Sequence, residues 1–255
     1  MRIDLIGVQQ FYNSSLGKCT TDSISKVLSK TWNDVTGCRL LGLGYAIPFL
    51  SCFNGKAECK LAFIPAEQGI TKYTYQNFSS TVLVYEERLP LLDSSVDCVL
   101  IVHYLEFVED PLVMLCEVWR VLSSGGRMII IIPNKRGFWA HMDHTPFGLG
   151  KSYSWYQLVS LLKEANFTVS QTSGSLSPPP TNKNFVLKLW SFFEKIGSNF
   201  GPGFAGVYVI EARKILYQGI PVIESKTKHM PVPILVPHTA STLDNQFTAT
   251  SPDKK

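Results

Sequence analysis

The chain has 255 residues, 45% of them hydrophobic and 17% charged, with a net charge of +4. That size fits one globular domain with an appendage; its scattered lysines and arginines give no footprint for nucleic acid, and no apolar run approaches the roughly 18–20 residues of a membrane span. The six cysteines, Cys19, Cys38, Cys52, Cys59, Cys98 and Cys116, form no Cys-x-x-Cys pair, so neither a disulfide framework nor a zinc site is expected. The opening MRIDLIGVQQFYN carries Asp4 early and lacks the apolar core and cleavage site of a signal peptide, so a cytoplasmic protein is expected.

Residues 3–34 read as helical, with Val8, Phe11 and Tyr12 on an early segment and Ile24, Val27 and Leu28 on a later one, broken at Leu16-Gly17. Residues 38–48 follow as a buried strand, a glycine turn at Gly42-Leu43-Gly44, and a helix that Pro48 could start. Strands are predicted over residues 58–64 and 81–85. Two β-branched apolar runs, 98–105 and 128–132, read as fully buried parallel strands. Between them Asp110 is placed as N-cap and Pro111 as first residue of a helix, with Leu112, Leu115, Val118 and Leu122 inward and Gly125-Gly126 as its C-cap. The three form one strand–helix–strand unit with a right-handed crossover.

The run 134–150 is long, aromatic and glycine-punctuated, and it lies beyond the carboxyl end of a parallel strand, where function concentrates. A helix capped by Ser152 or Ser154 is expected over 155–165, with Asn166 ending it. A strand over 167–173 is stopped before Pro178-Pro179-Pro180, since prolines lack the ladder donor. An added helix over 185–196 and a closing antiparallel strand over 205–212 complete a domain that ends at 217. Residues 218–255 turn rich in Pro, Thr, Ser and Lys and read as a flexible tail or docking segment, with MPVPILVPH its only apolar cluster.

Four pieces occur in a fixed order: Leu89-Pro90, Asp93-Ser94-Ser95, Val96-Asp97, and Arg120-Val121-Leu122-Ser123-Ser124-Gly125-Gly126. In that order they resemble the class I S-adenosylmethionine-dependent methyltransferases of type 11, especially the branch similar to quinone-biosynthesis C-methyltransferases. The run from Asn134 through Ser154 also looks like an uncharacterised bacterial subgroup of methyltransferase-like proteins. The resemblance implies an α/β, Rossmann-like fold: a mostly parallel seven-stranded sheet flanked by helices, whose N-terminal helices (3–34) cover the pocket. It implies S-adenosyl-L-methionine as co-substrate and methyl transfer to a small or medium acceptor molecule. The alternatives are a doubly wound protein without the cofactor, a methyltransferase-fold binding or sensor protein without turnover and, more weakly, a metal-dependent hydrolase.

Carried over by position, Gly42 and Gly44 match the first two glycines of the family's Gly-x-Gly-x-Gly turn, while its acidic place holds Leu40 and its third glycine is Ala46. The ribose-binding acid falls on Ile64-Pro65, with Glu67 the nearest carboxylate. The adenine-side acid falls on Tyr85, with Glu86 adjacent. A hydrogen bond to a charged group contributes about 1.5–3 kcal/mol, so two lost acids matter unless Glu67 and Glu86 replace them. Tyr12 is a candidate for the methionine end of the pocket, or else an aromatic anchor of a lid helix. His103 falls at the switch point, beside the cofactor or facing the substrate, where a neutral imidazole can take a proton and Glu106 could orient it. The loop implies an acceptor-facing lid carrying Trp139, His141 and His144, with a purely structural loop as the alternative. His141-x-Asp143-His144 has neither a helical His pair nor a fixed fourth ligand, so no metal is assigned.

Overall fold

The computed structural model describes residues 5–66, 74–75, 78–79, 81–85, 88–181, 186–187, 189–198, 203 and 205–216. Glu67, Glu86 and the tail from residue 218 lie outside the described residues. A compact unit spans Met1–Gln218.

Strict alternation of apolar side chains builds a sheet that is buried on both faces. In β1 (Arg39–Gly44), β4 (Val96–Val102) and β5 (Leu122–Pro133), neighbouring residues go to opposite layers. Leu40, Leu100 and Ile129 join one core with Ile24, Leu28 and Trp32. Leu41, Ile101 and Ile130 join the other with Leu115, Val118, Leu158 and Leu162. The first layer comes from helices α1 (Leu5–Asn13), α2 (Ser15–Thr31), the one-turn α3 (Ile47–Leu50) and α6 (Trp190–Ser198). The second comes from α4 (Pro111–Val121) and α5 (Trp155–Glu164).

With β2 (Cys59–Pro65), β3 (Thr81–Val84), β6 (Phe167–Ser175) and β7 (Val207–Lys214), the sheet has seven strands in the order β3-β2-β1-β4-β5-β7-β6. β1 to β5 pair in parallel, and β7 runs antiparallel to both β5 and β6. This is the mostly parallel Rossmann-like sheet that the sequence implied, closed by one antiparallel hairpin. No described helix is long and apolar enough to cross a membrane.

Several boundaries differ from the sequence reading, each for a local reason. The N-terminal helices break at Ser14, whose hydroxyl accepts from the Gly17 amide at 3.0 Å and caps α2. Gly17 lies inside the first turn, where a Cβ would collide with the Phe11 carbonyl. Asp110 caps α4 as expected, accepting from Leu112 and Val113 amides at 3.0 and 3.1 Å. Gly125-Gly126 do not form its C-cap: α4 runs straight into β5, and the ladder jumps from Val96↔Leu122 to Cys98↔Arg127. Residues 123–126 are therefore a bulge, and Gly125 supplies its positive φ of 71°. The strand expected over 98–105 stops at Val102; of the late helix expected over 185–196, Val186-Leu187 and Trp190–Ser198 are helical, with Leu189 in a turn between them.

The motif residues that carried the resemblance are framework. Asp97 accepts from the Arg39 backbone amide and Nε at 2.9 Å and from Ser123 Oγ at 2.9 Å. The Arg39 guanidinium holds its carboxyl well below the usual range, at about 2. Arg120 donates to the Leu91 and Leu89 carbonyls at 2.9 and 3.1 Å and to Asp93 at 2.7 Å, pinning the turn before β4. These groups line an open cleft of about 610 Å³ from Arg88 to Asp93, where Arg120 is already spent on Asp93 and Glu117.

Candidate functional site

The strand order reverses between β1 and β4, so the crevice beyond their carboxyl ends is where an open α/β sheet receives ligands. β1 ends at Gly44 with φ +74°; a Cβ there would overlap the Val102 carbonyl and lie 2.8 Å from Tyr104 Cβ. The next amide, Tyr45 N, donates to Val102 O at 2.8 Å. A Cβ on Gly42 would lie 2.8 Å from Ala46 Cβ and 3.1 Å from a Leu50 methyl. Both glycines are required by the chain's packing on itself, before any ligand is considered.

Helix α1 covers this turn. Tyr12 stacks on Tyr45 with ring centroids 5.3 Å apart and meets the edge of Phe49 at 5.7 Å. Its hydroxyl lies 2.8 Å from His103 Nε2. The other side of His103 faces Phe147, centroid to centroid 4.6 Å. All five side chains are buried.

His103 follows the last residue of β4 with φ +48°, a left-handed conformation uncommon for a residue with a Cβ. The chain then turns through Tyr104–Phe107, closed by Phe107 N to Tyr104 O at 2.9 Å. That turn, rather than a helix, carries Glu106 back beneath His103, with Oε1 4.0 Å from Nδ1. Gly150 packs on Glu106, where a Cβ would come within 2.8 Å of its carbonyl, and Lys151 N donates to that carbonyl at 2.8 Å.

Neither carboxylate oxygen of Glu106 has a hydrogen-bond partner, and neither does His103 Nδ1. Burial raises the Glu106 carboxyl to about 7, with the backbone amides of Glu106 and Tyr104 pulling the other way. Burial lowers His103 to about 3. An imidazolium facing a carboxylate at 4.0 Å would be an ion pair, but at that separation desolvation of both groups outweighs the attraction. The histidine is therefore neutral at pH 7. Burial also raises Tyr12, so its phenol stays protonated and donates to Nε2. The imidazole proton then sits on Nδ1, the nitrogen that faces Glu106.

Other residues singled out from the sequence lie elsewhere. Leu40 is core, Pro65 is buried at the end of β2, and Tyr85 is 74% exposed. The run 134–150 contains two 3-10 turns, Phe138–His141 and Pro146–Gly148. Trp139 is 1% exposed and donates to the Pro178 carbonyl at 2.8 Å, so its side chain is core. His141 and His144 are exposed, the latter 3.3 Å from the Pro180 carbonyl. Among the described residues no group of three His, Cys, Asp or Glu side chains converges as metal ligands do.

Residues 65–130, from the end of β2 into β5, match a family described as methyltransferase domain. The chain is 29% identical over 184 residues to an uncharacterised protein of Methanocaldococcus jannaschii, covering 69% of this chain and 80% of that one. Among solved structures it is similar to an S-adenosylmethionine-dependent methyltransferase of Thermotoga maritima, with a TM-score of 0.57 and 18% identity over 81% of this chain and 94% of that one. It is similar to a chain of the Haloferax volcanii complex between the Trm112 methyltransferase activator and a methyltransferase, with a TM-score of 0.56 and 12% identity over 83% and 99% of the two chains. The [4+2]-cyclase SpnF matches with a TM-score of 0.51 and 21% identity over 75% and 79%.

Proposed function

We propose that this chain, which belongs to the class I S-adenosylmethionine-dependent methyltransferase fold family, transfers a methyl group from that co-substrate to a small or medium acceptor. The observation that carries the reading is the methyltransferase-domain segment, residues 65–130, which contains the His103–Glu106 pair immediately after β4. The unpartnered polar atoms of that pair suit a ligand bound there, because buried polar groups otherwise find partners within the protein. The glycine turn of β1, with Gly42 and Gly44, would meet the co-substrate. Glu67 and Glu86 remain the proposed carboxylates for its ribose and adenine ends.

The bound co-substrate supplies a methyl group on a sulfonium centre. This chain's part is to hold the acceptor in line with that methyl and to exclude water, and positioning alone supplies much of the acceleration in such a displacement. The aromatic cover of Tyr12, Tyr45, Phe49 and Phe147 supports water exclusion. His103 has Nε2 engaged by Tyr12 and Nδ1 facing Glu106, so proton removal from an acceptor by His103 would pass through its neighbours. His141 and His144 belong to this reading as residues flanking the acceptor route.

The second reading is a binding or sensor protein without turnover. Leu40 in the acidic place and Pro65 in the ribose-acid place favour it. Calorimetric titration with S-adenosylmethionine and S-adenosylhomocysteine tests the shared premise, and absence of binding by both sinks it. Formation of S-adenosylhomocysteine when cell extract is added separates the readings: turnover supports the enzyme, and saturable binding without turnover across extracts supports the sensor.

A further inference from the structure

The Glu106 carboxyl has no explanation in the packing of the fold. Its two oxygens are buried and receive no side-chain donor, only the turn's own Tyr104 and Glu106 amides acting on them outside hydrogen-bond geometry; the nitrogen that faces it is unpartnered, and His103 is held there in a left-handed backbone conformation. The other buried acid among the described residues is satisfied: Glu211 accepts from Trp32 Nε1 at 3.1 Å and from Ser170 Oγ at 2.7 Å. A buried carboxyl left without donors costs the fold, so such a group persists where something else supplies the donors.

The surroundings restrict what that something is. The titratable side chains facing Glu106 are His103 from the same turn, Tyr12 of α1, and Tyr153 beyond the loop. Lys151 approaches only with its backbone, since its ammonium group reaches the Glu109 carbonyl. No positive charge of the described residues faces the carboxyl. Tyr12 faces the carboxyl, and the rings packed on Tyr12 and His103, Tyr45 and Phe147, make that side of the pair aromatic; aromatic faces attract cations. A hydroxyl would bring one donor and leave the second oxygen unpaired. An ammonium group brings several donors and the missing charge.

We propose that Glu106 is the receptor for a ligand's ammonium group, bound at the end of β4 beside His103 beneath the aromatic cover of α1. The inference rests on the reading of this crevice as the ligand site. The ammonium has two sources, the amino-acid end of the co-substrate or an amine acceptor, and the same carboxylate chemistry serves either.

The test is calorimetry near pH 7 in phosphate and in Tris, whose different ionisation heats report protons released on binding. Three probes are used: S-adenosylhomocysteine, 5′-methylthioadenosine (which lacks the amino-acid end), and 2-phenylethylamine with and without S-adenosylhomocysteine. Pairing with an ammonium forces Glu106 to ionise, so the true partner releases about half a proton per ligand. Release with S-adenosylhomocysteine, absent with 5′-methylthioadenosine and lost in Glu106→Gln, assigns the ammonium to the co-substrate. Release with 2-phenylethylamine, lost in Glu106→Gln together with about tenfold or more of affinity, assigns it to the acceptor. A carbon-13 carboxyl shift of Glu106 in the unmutated protein reads the same ionisation without substitution. Release unchanged in Glu106→Gln, no release by any probe, or an unmoved carboxyl signal overturns the proposal. S-adenosylhomocysteine binding without these signatures would leave the methyl-transfer reading standing while this one falls.

Discussion

Replacing Glu106 by Gln should change the pH dependence of stability in a direction that the fold alone dictates. A carboxyl raised from 4.5 to about 7 holds more protons folded than unfolded between those values, so its contribution to stability falls as pH rises through that window. At 1.36 kcal/mol per pH unit the full effect is about 3 kcal/mol, complete above pH 7. His103, lowered from 6.5 to about 3, has the opposite sign: the unfolded chain binds the extra proton, and stability rises with pH through its window. Between about 4.5 and 6.5 the two slopes cancel, and this pair leaves the unmutated protein flat. Glu106→Gln removes one slope, so stability should climb by roughly 2–3 kcal/mol across that interval. The unpartnered amide adds a cost independent of pH, which shifts the curve without altering its slope. Urea unfolding at several pH values measures this directly. His103→Asn, with a residue that tolerates the left-handed backbone, should show the reverse slope. Parallel curves for the unmutated protein and Glu106→Gln would refute the claim that burial governs this carboxyl.

Trp139→Ala should cost about 3–5 kcal/mol in urea unfolding, as loss of a buried indole does, and Trp139→Phe about 1 kcal/mol for the bond to Pro178; a value near zero for both would return Trp139 to the role of a mobile gate. Gly44→Ala should lower stability by about 2 kcal/mol or more, because positive φ and the Val102 carbonyl both oppose a Cβ. That result would make substitutions there unsuited to testing ligand contact alone, and an unchanged unfolding midpoint would contradict it. Truncation after Gln218 should leave the melting temperature within a few degrees, given the proline-rich composition beyond it; a large drop would mean that the MPVPILVPH cluster docks on the domain.

The sheet was legible because its determinants are local. Alternating Leu40-Leu41, Leu100-Ile101 and Ile129-Ile130 can only be buried on two faces, and Asp110-Pro111 caps a helix wherever it stands. Element ends were less legible where tertiary contacts decide. Gly125-Gly126 carry the same signal for a helix C-cap as for a bulge, and only the pairing of Val96 with Leu122 selects the second. The site was half legible. Motif order placed His103 at the switch point, but nothing near His103 in sequence announces Tyr12 as its partner across 91 residues. Trp139 illustrates the converse: an aromatic in a glycine-rich loop reads as a lid, whereas a bond to Pro178 and edge contacts with Phe147 and Trp190 make it core.

Charge satisfaction separates framework from function here more sharply than motif membership does. Arg120, Asp93 and Asp97 belong to the recognised pattern, yet their side-chain polar contacts end on other parts of the chain. They fix the turn that delivers β4, and substituting them would report on folding. His103 and Glu106 sit six and nine residues after Asp97, in a turn with no helix or ladder to justify its strain. Left-handed backbone at a residue with a Cβ, an imidazole held neutral and a buried carboxyl without a side-chain donor each destabilise the folded state. Three such costs on four residues, at the one crevice where the strand order reverses, are not what packing alone would retain. On the proposal made above, they are polar groups kept ready for a partner that completes them.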